Sequence, residues 1–513
     1  MQDEVRTLAD VLPAAASRHP RHTALVYGSE RISYAGLCER ARRVAAALRS
    51  HGVEEADAVG IRLPRSPEYV AAYFGAAMAG AVIVPLNPEL TPRELCDDLD
   101  YCDVRLLVTD GADPELLREL ESRCPSLHTV LLVPGAGEGS PPPGASRLRM
   151  YPLGPAGGEE GEVSPPAVDP GRLALLLHTS GTTSAPKRVM LSHRGLLANA
   201  RSHSASLRLR PEDRALVALP LFFGYCNTAQ MLSHLLLGGT LVLLPGPFTP
   251  GKLCRLVESE RVTTFTAVPT LLFYLLRYER LAEHDLSSLR FVSFGGSVMP
   301  PERLEELARV LPGVGFAQTY GLTEASPRIT TLPPEEAHAR SGSVGRPIPG
   351  VEVRIVDEAG YPREAFRTGE VVVRGPSLML GYYRRPEATA QVLRDGWLHT
   401  GDLGYLDGEG YLYLVGRKKN VIIRGGVNVY PEEIEEYLLR HPGVAEVLVE
   451  RDPHPIQGEV PVARIVLREG ASLRDAELAA FCRRGLTALK VPTRFELVSA
   501  LPRTYNQKLR RLT

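Results

Sequence analysis

Apolar and polar positions follow two rhythms along this chain. Over the first 130 residues, Leu37, Ala41, Val44, Ala45 and Leu48 recur at the spacing of one helical face, while the short apolar runs 82–84 and 106–108 read as buried strands. That alternation predicts an α/β fold. The longest apolar stretch, 71–85, falls short of the roughly 20 residues a membrane-spanning helix needs, and its alanines and glycines predict a closely packed helix followed by a strand. Thr91-Pro92-Arg93-Glu94 supplies a capping hydroxyl, a proline at the first helical position and a glutamate at the third, so a helix should begin there. Residues 134–171 are dense in Pro, Gly and Glu and read as an exposed connection. The helix and strand alternation resumes with the run LALLL at 173–177 and continues to about Pro327, as a second α/β layer. From Val351 the period becomes two, with Val351, Val353 and Ile355 followed by EVVVRG and YLDGEGYLYLVGR, which predicts antiparallel hairpins. After Arg417 come a strand, a helix opened by Pro431 with Glu432 and Glu433 in its first turn, two strands and another helix. The expected architecture is a large N-terminal domain of two α/β layers plus a β-rich subdomain, residues 1–416, and a small α+β domain at 421–513.

Composition narrows the function classes. At roughly 150 residues per domain, 513 residues give about three packing units. Hydrophobic residues at 44% and charged residues at 23% fit a globular chain and exclude disorder. Lys plus Arg (59) against Asp plus Glu (60) supplies no basic field for nucleic acid or anionic lipid, so neither is expected as a partner. The acidic start MQDEV has no apolar signal segment, and the seven cysteines include no C-x-x-C pair; reduced thiols and a cytoplasmic location are expected.

The chemistry concentrates in HTSGTTSAPKRV, residues 178–189. Thr179, Ser180, Thr182, Thr183 and Ser184 place hydroxyls around Gly181, with Lys187 following. Glycine-freed amides, hydroxyl donors and one ammonium can wrap a polyphosphate. No G-K-[ST] ends the segment, so it is not the P-loop pattern. Ser184 and Lys187 also satisfy S-x-x-K, but the S-D-N and K-T-G partners of the acyl-serine hydrolases are missing and Pro186 would interrupt the required helix turn.

The segment resembles the phosphate loop of the adenylate-forming superfamily, which includes acyl- and aryl-CoA synthetases, adenylation domains of non-ribosomal peptide synthetases and beetle luciferases. Further motifs follow in the family's order: YGLTE at 320–324, WLHTGD at 397–402, GRKKN at 416–420, GGVNVYPEE at 425–433 and PRTYNQK at 502–508. The resemblance implies an ATP-dependent ligase that converts a carboxylic acid to an acyl adenylate with release of pyrophosphate, then passes the acyl group to the thiol of CoA or of a phosphopantetheine on a separate carrier protein. Thr179, Ser180, Gly181, Thr182, Thr183 and Lys187 would hold the phosphates. Tyr320, with Gly321 beside it, would stack on adenine, Gly295, Gly296 and Ser297 would let backbone approach the base, and Asp402 with Arg417 would bind the ribose. Glu324, next to Thr323, would bind Mg²⁺, a hard cation suited to carboxylate and phosphate oxygens. Lys508 would neutralise charge developing between the acid and the α-phosphate. Residues 417–420 would be a hinge turning at Lys419, the small domain would be mobile, and Gly425 and Gly426 would line a thiol channel.

Several positions depart from the family pattern. Ser184 and Arg188 replace glycines, Gln507 replaces the glycine before the terminal lysine, Asn420 replaces an acidic residue, and Phe223 stands where many CoA ligases carry histidine. The resemblance also places Tyr225 where amino-acid-activating domains carry an aspartate that pairs with the substrate ammonium. Burying an unpaired ammonium is costly, so an aryl or short acyl acid is expected instead, in a pocket formed by Phe223, Tyr225, Cys226, Ala229, Ser293 and Thr319. Two alternatives stand beside this reading: a ligase that activates nitrite and couples it to an aminoaryl acid, and a nucleotide-binding protein with a decayed site.

Overall fold

The structure is a computed structural model that describes residues 5–111, 114–133, 148–153, 167–178, 187–297, 299–503 and 511. Thr179, Ser180, Gly181, Thr182, Thr183 and Lys508, together with most of the 134–171 connection, lie outside the described residues. Among the described residues the large N-terminal part is built on two sheets of nine and eight strands, followed by two five-stranded sheets.

The expected pairing of layers with chain order does not hold. The nine-stranded sheet has a parallel centre, Thr23–Tyr27, Thr240–Leu243, Arg214–Val217, Thr264–Ala267, Phe291–Gly295 and Gly315–Gly321, with Arg328–Leu332 antiparallel at one side. It therefore takes its first strand from the start of the chain. The strand Leu173–His178, expected to open the second layer, pairs parallel with Val82–Pro85 in the eight-stranded sheet. Buried parallel strands carry apolar side chains on both faces, so their sequence does not encode which sheet they join.

Other expectations hold in detail. The helix Pro67–Ala79 is buried along almost its whole length. It lies so close to the helix Tyr34–Ser50 that a Cβ on Gly75 would sit 2.6 Å from Val44 Cβ. Thr91 and Glu94 form a reciprocal capping box on Pro92–Tyr101. The hairpins after Val351 make an antiparallel sheet from Glu352–Val356, Gly369–Arg374, Trp397–Leu406 and Leu412–Arg417, with Leu393–Arg394 at its edge. The last sheet packs Pro431–Leu439 and Asp475–Gly485 over a separate apolar core that includes Ile434, Val447, Ile465 and Leu478. All seven cysteines are free and buried. No described helix is long and apolar enough to cross a membrane.

Candidate active site

The end of one strand in the nine-stranded sheet delivers the first cluster. Tyr320 and Gly321 end the strand Gly315–Gly321, and the turn Thr323–Ala325 follows. A Cβ on Gly321 would meet the Pro327 carbonyl oxygen at 1.7 Å, and one on Gly295 would meet that of Thr319 at 2.3 Å, so both positions accept only glycine. Gly296 has φ +86° and is exposed with Ser297.

Asp402 and Arg417 are direct cross-strand partners in the β-rich subdomain. Arg417 Nε lies 2.7 Å from Asp402 Oδ1, and the Tyr320 hydroxyl donates to Asp402 Oδ2 at 2.7 Å. Burial, reinforced by the Asp402 charge, raises the Tyr320 pKa well above its ordinary value, so the phenol stays a donor. Each carboxylate oxygen thus accepts one bond, and a carboxylate has about four acceptor sites. Two remain for a ligand, which suits a vicinal diol.

Glu324 is positioned by a residue that the sequence reading did not single out. Tyr382 donates its hydroxyl to Glu324 Oε1 at 2.8 Å, and Lys187 Nζ lies 4.8 Å from the centre of the Tyr382 ring. Gly381–Tyr382 pairs with Val189 and Met190, directly after the 178–187 segment, which is how a residue 195 positions along the chain reaches Lys187. Burial, then the Glu324 charge, raises the Tyr382 pKa, so this phenol also stays protonated. The Gly-Tyr-Tyr run before Pro386 was visible in the sequence, but nothing in its spacing tied it to Glu324.

Among the described residues no group of three or more His, Cys, Asp or Glu could hold a metal ion. A single carboxylate such as Glu324 fits Mg²⁺ carried mainly by phosphate oxygens and water.

Two departures from the family pattern have structural explanations. Arg188 is fully buried: it binds Asp98 through Nε at 2.9 Å and through Nη2, and Nη1 donates to the carbonyls of Pro85 at 3.2 Å and Leu176 at 3.1 Å. Asn420 donates to Glu432 Oε1 at 2.7 Å, where a carboxylate would repel Glu432. Lys419 lies in the turn Lys418–Asn420, with its pKa lowered by burial and by Arg417. Gly425 and Gly426, with φ of +58° and +80°, form the two-residue turn of the hairpin Ile422–Arg424 and Val427–Val429, as type I′ geometry requires.

The residues expected around the acid separate into two groups. The Tyr225 hydroxyl lies 3.0 Å from Thr319 Oγ1, which donates to the Phe294 carbonyl at 2.8 Å. Ala229 joins this group through its backbone bond to the His203 ring. Cys226 and Ser293 instead make core contacts: the thiol meets Leu219 O and Gln230 Oε1, and Ser293 Oγ lies 2.9 Å from Thr266 Oγ1. Phe223 packs its ring on Phe222, half-buried. One residue missed by the sequence reading lies in the first group: Arg328, fully buried, holds its guanidinium 4.9 Å over the Tyr225 ring.

A large domain built on two α/β sheets, followed by a small β-rich C-terminal unit, is the architecture of the adenylate-forming enzymes. Residues 12–383 match the model of the AMP-binding enzyme family, and residues 433–508 match that of the AMP-binding enzyme C-terminal domain. The chain belongs to this family and is an AMP-forming acid–thiol ligase of the acyl-CoA synthetase type. It is 37% identical over 495 residues to a feruloyl-CoA synthase of Amycolatopsis sp, covering 96% of this chain and 95% of that one. It is 33% identical over 531 residues to a long-chain-fatty-acid–CoA ligase of Bacillus subtilis (strain 168), covering 99% and 93%. The structure of the o-succinylbenzoate coenzyme A synthetase of Bacillus subtilis in complex with ATP and magnesium ion aligns with a TM-score of 0.85 at 31% identity, covering 98% of each chain. ATP and Mg²⁺ are used by the family, and CoA is the acceptor among the relatives. The nitrite-activating alternative finds no support among these proteins, and neither does the decayed, non-enzymatic one.

Proposed function

We propose that this ligase activates an aryl or short acyl acid and transfers it to CoA, and that it discriminates against α-amino acids. The observation that carries this reading is the Tyr225 group. Where an ammonium would need a carboxylate, Tyr225 presents a phenol bonded to Thr319, and the Arg328 cation lies over its ring. An ammonium there would be buried against a like charge. The similarity to a feruloyl-CoA synthase supports an aryl acid.

In this reading Asp402 and Arg417 bind the ribose hydroxyls, Tyr320 stacks on the base, and Lys187 with the 179–183 hydroxyls contacts the phosphates. Glu324, held by the Tyr382 hydroxyl, contributes one ligand to Mg²⁺, which supplies Lewis-acid neutralisation of the triphosphate. The substrate carboxylate attacks the α-phosphorus and the bond to pyrophosphate breaks, with Lys508 offsetting the charge that develops. The thiol sulfur then attacks the acyl carbon and AMP departs. A hinge at 417–420, a mobile 421–513 domain and a thiol path along Gly425 and Gly426 complete the proposal. A separate carrier protein is a second acceptor to test.

The test is ATP–pyrophosphate exchange over a panel of aryl, short acyl and α-amino acids. Exchange with aryl or short acyl acids, with AMP as the nucleotide product, is expected. Exchange confined to proteinogenic amino acids would overturn the substrate reading.

A further inference from the structure

Arg188 and Arg328 are the two largest fully buried side chains. Arg188 has a carboxylate and two carbonyls for its guanidinium. Arg328 has no such set. Its Nε donates to His203 Nδ1 at 3.2 Å, its Nη2 is buried with no hydrogen-bond partner, and no described Asp or Glu forms an ion pair with it. His203 supplies no negative charge: burial, then the nearby Arg328 charge, holds its pKa well below the usual value, and its ring is also bonded to the Ala229 backbone. Tyr225 supplies only the face of its ring and its hydroxyl.

The side chain is nevertheless firmly placed. Asn199 clamps the Arg328 backbone on both sides, accepting from its N–H at 3.2 Å and donating to its carbonyl at 2.9 Å. One helical turn further along the same helix, His193–Ser206, His203 holds the guanidinium. Arg328 is the register partner of Gly321, beside Tyr320, and the Tyr225 hydroxyl beneath it reaches Thr319. A buried cation without a counter-ion costs several kcal/mol, and an apolar side chain of similar volume would avoid that cost. A rigid fork with an unused donor is suited to planar oxyanions.

We infer that Arg328 recognises a second anionic group on the acid, so that the substrate is a carboxylic acid bearing another carboxylate or a sulfonate at its far end. The inference rests on the acid-ligase reading and narrows its substrate class. The reactive carboxylate faces the Tyr320 and Asp402 side, and the far anion completes the hydrogen bonding of Arg328. Pre-organisation by Asn199 and His203 lowers the ordering cost of that contact.

The experiment uses the full chain with ATP and Mg²⁺ and measures ATP–pyrophosphate exchange on matched trios of acids: butyrate, succinate and 3-sulfopropionate, and benzoate, isophthalate and 3-sulfobenzoate. The expected result is a kcat/KM for at least one dianionic member on the order of 100-fold above its monoanionic partner, the sulfonate arms reporting which anion is preferred. In Arg328→Met that ratio should collapse towards one, chiefly through KM of the dianion. Arg328→Lys, which keeps the charge and loses the fork, should give an intermediate ratio and serves if the methionine variant does not fold. Monoanionic acids preferred by the wild type, or a ratio unchanged in the variants, would overturn the inference while leaving the ligase reading intact. No exchange with any acid of the panel would overturn both.

Discussion

The surroundings of Arg188 and Arg328 differ in one respect that separates scaffold from site. Both guanidiniums are fully buried, and both attach to the sheets that carry the motifs. Around Arg188 every charge is answered: Asp98 takes two donors, and the carbonyls of Pro85 and Leu176 take another. The result ties the strand after the phosphate segment to the helix Pro92–Tyr101 and leaves nothing for a ligand to complete. Around Arg328 the backbone is clamped but the charge is not met. A closed network reports stability; an open one in a rigid frame reports recognition. The Asp402 cluster lies between the two, with its carboxylate paired yet retaining acceptor sites.

The comparison can be broken most forcefully at Asp98. Asp98→Ala strands Arg188 as an unpaired buried cation and should cost about 3–5 kcal/mol, read as a lower midpoint in chemical denaturation. A loss below about 1 kcal/mol would remove the distinction between the closed and open networks. Asp402→Ala should leave folding intact but remove hydrogen bonds to a charged acceptor, each worth about 1.5–3 kcal/mol. KM for ATP should then rise on the order of 100-fold, and an unaltered ATP dependence would take Asp402 out of the nucleotide site.

A smaller effect comes with pH. Burial pushes the His193 pKa down to about 4, and burial also lowers those of His203 and His234. The unfolded chain protonates these rings near pH 6.5 while the folded chain does not, so it binds more protons and stability falls as pH drops from about 6.5 towards 4. His193, with its folded value near 4, contributes up to about 1.4 kcal/mol per pH unit in that window, and His203 and His234 act in the same direction. Denaturation midpoints at pH 7 and 5 check this, and His193→Gln should flatten the slope; a slope that does not change would contradict it.

The sequence made one half of this picture readable and hid the other. Glu324, Asp402, Arg417 and Lys187 sit in contiguous motifs, and Pro92 and Pro431 mark helix starts by local chemistry alone. What escaped depends on distance along the chain. Arg188 reads as a replaced glycine until Asp98, 90 positions away, is seen against it. Arg328 follows Pro327 in a strand one in from the sheet's edge, and nothing local marks it as buried; only its burial over the Tyr225 ring and the missing carboxylate give it meaning. The strand Leu173–His178 carried no mark of its sheet, because its apolar faces fit either one.

The most direct test compares the ligand-free stabilities of Arg188→Met and Arg328→Met with that of the wild type by chemical denaturation. Arg188→Met leaves Asp98 and two buried carbonyls without their donor and should lose about 3–5 kcal/mol. Arg328→Met exchanges an unpaired cation for an apolar group and should stay within about 2 kcal/mol of the wild type. Equal losses in the two variants would contradict the account, because Arg328 would then stabilise the fold as Arg188 does.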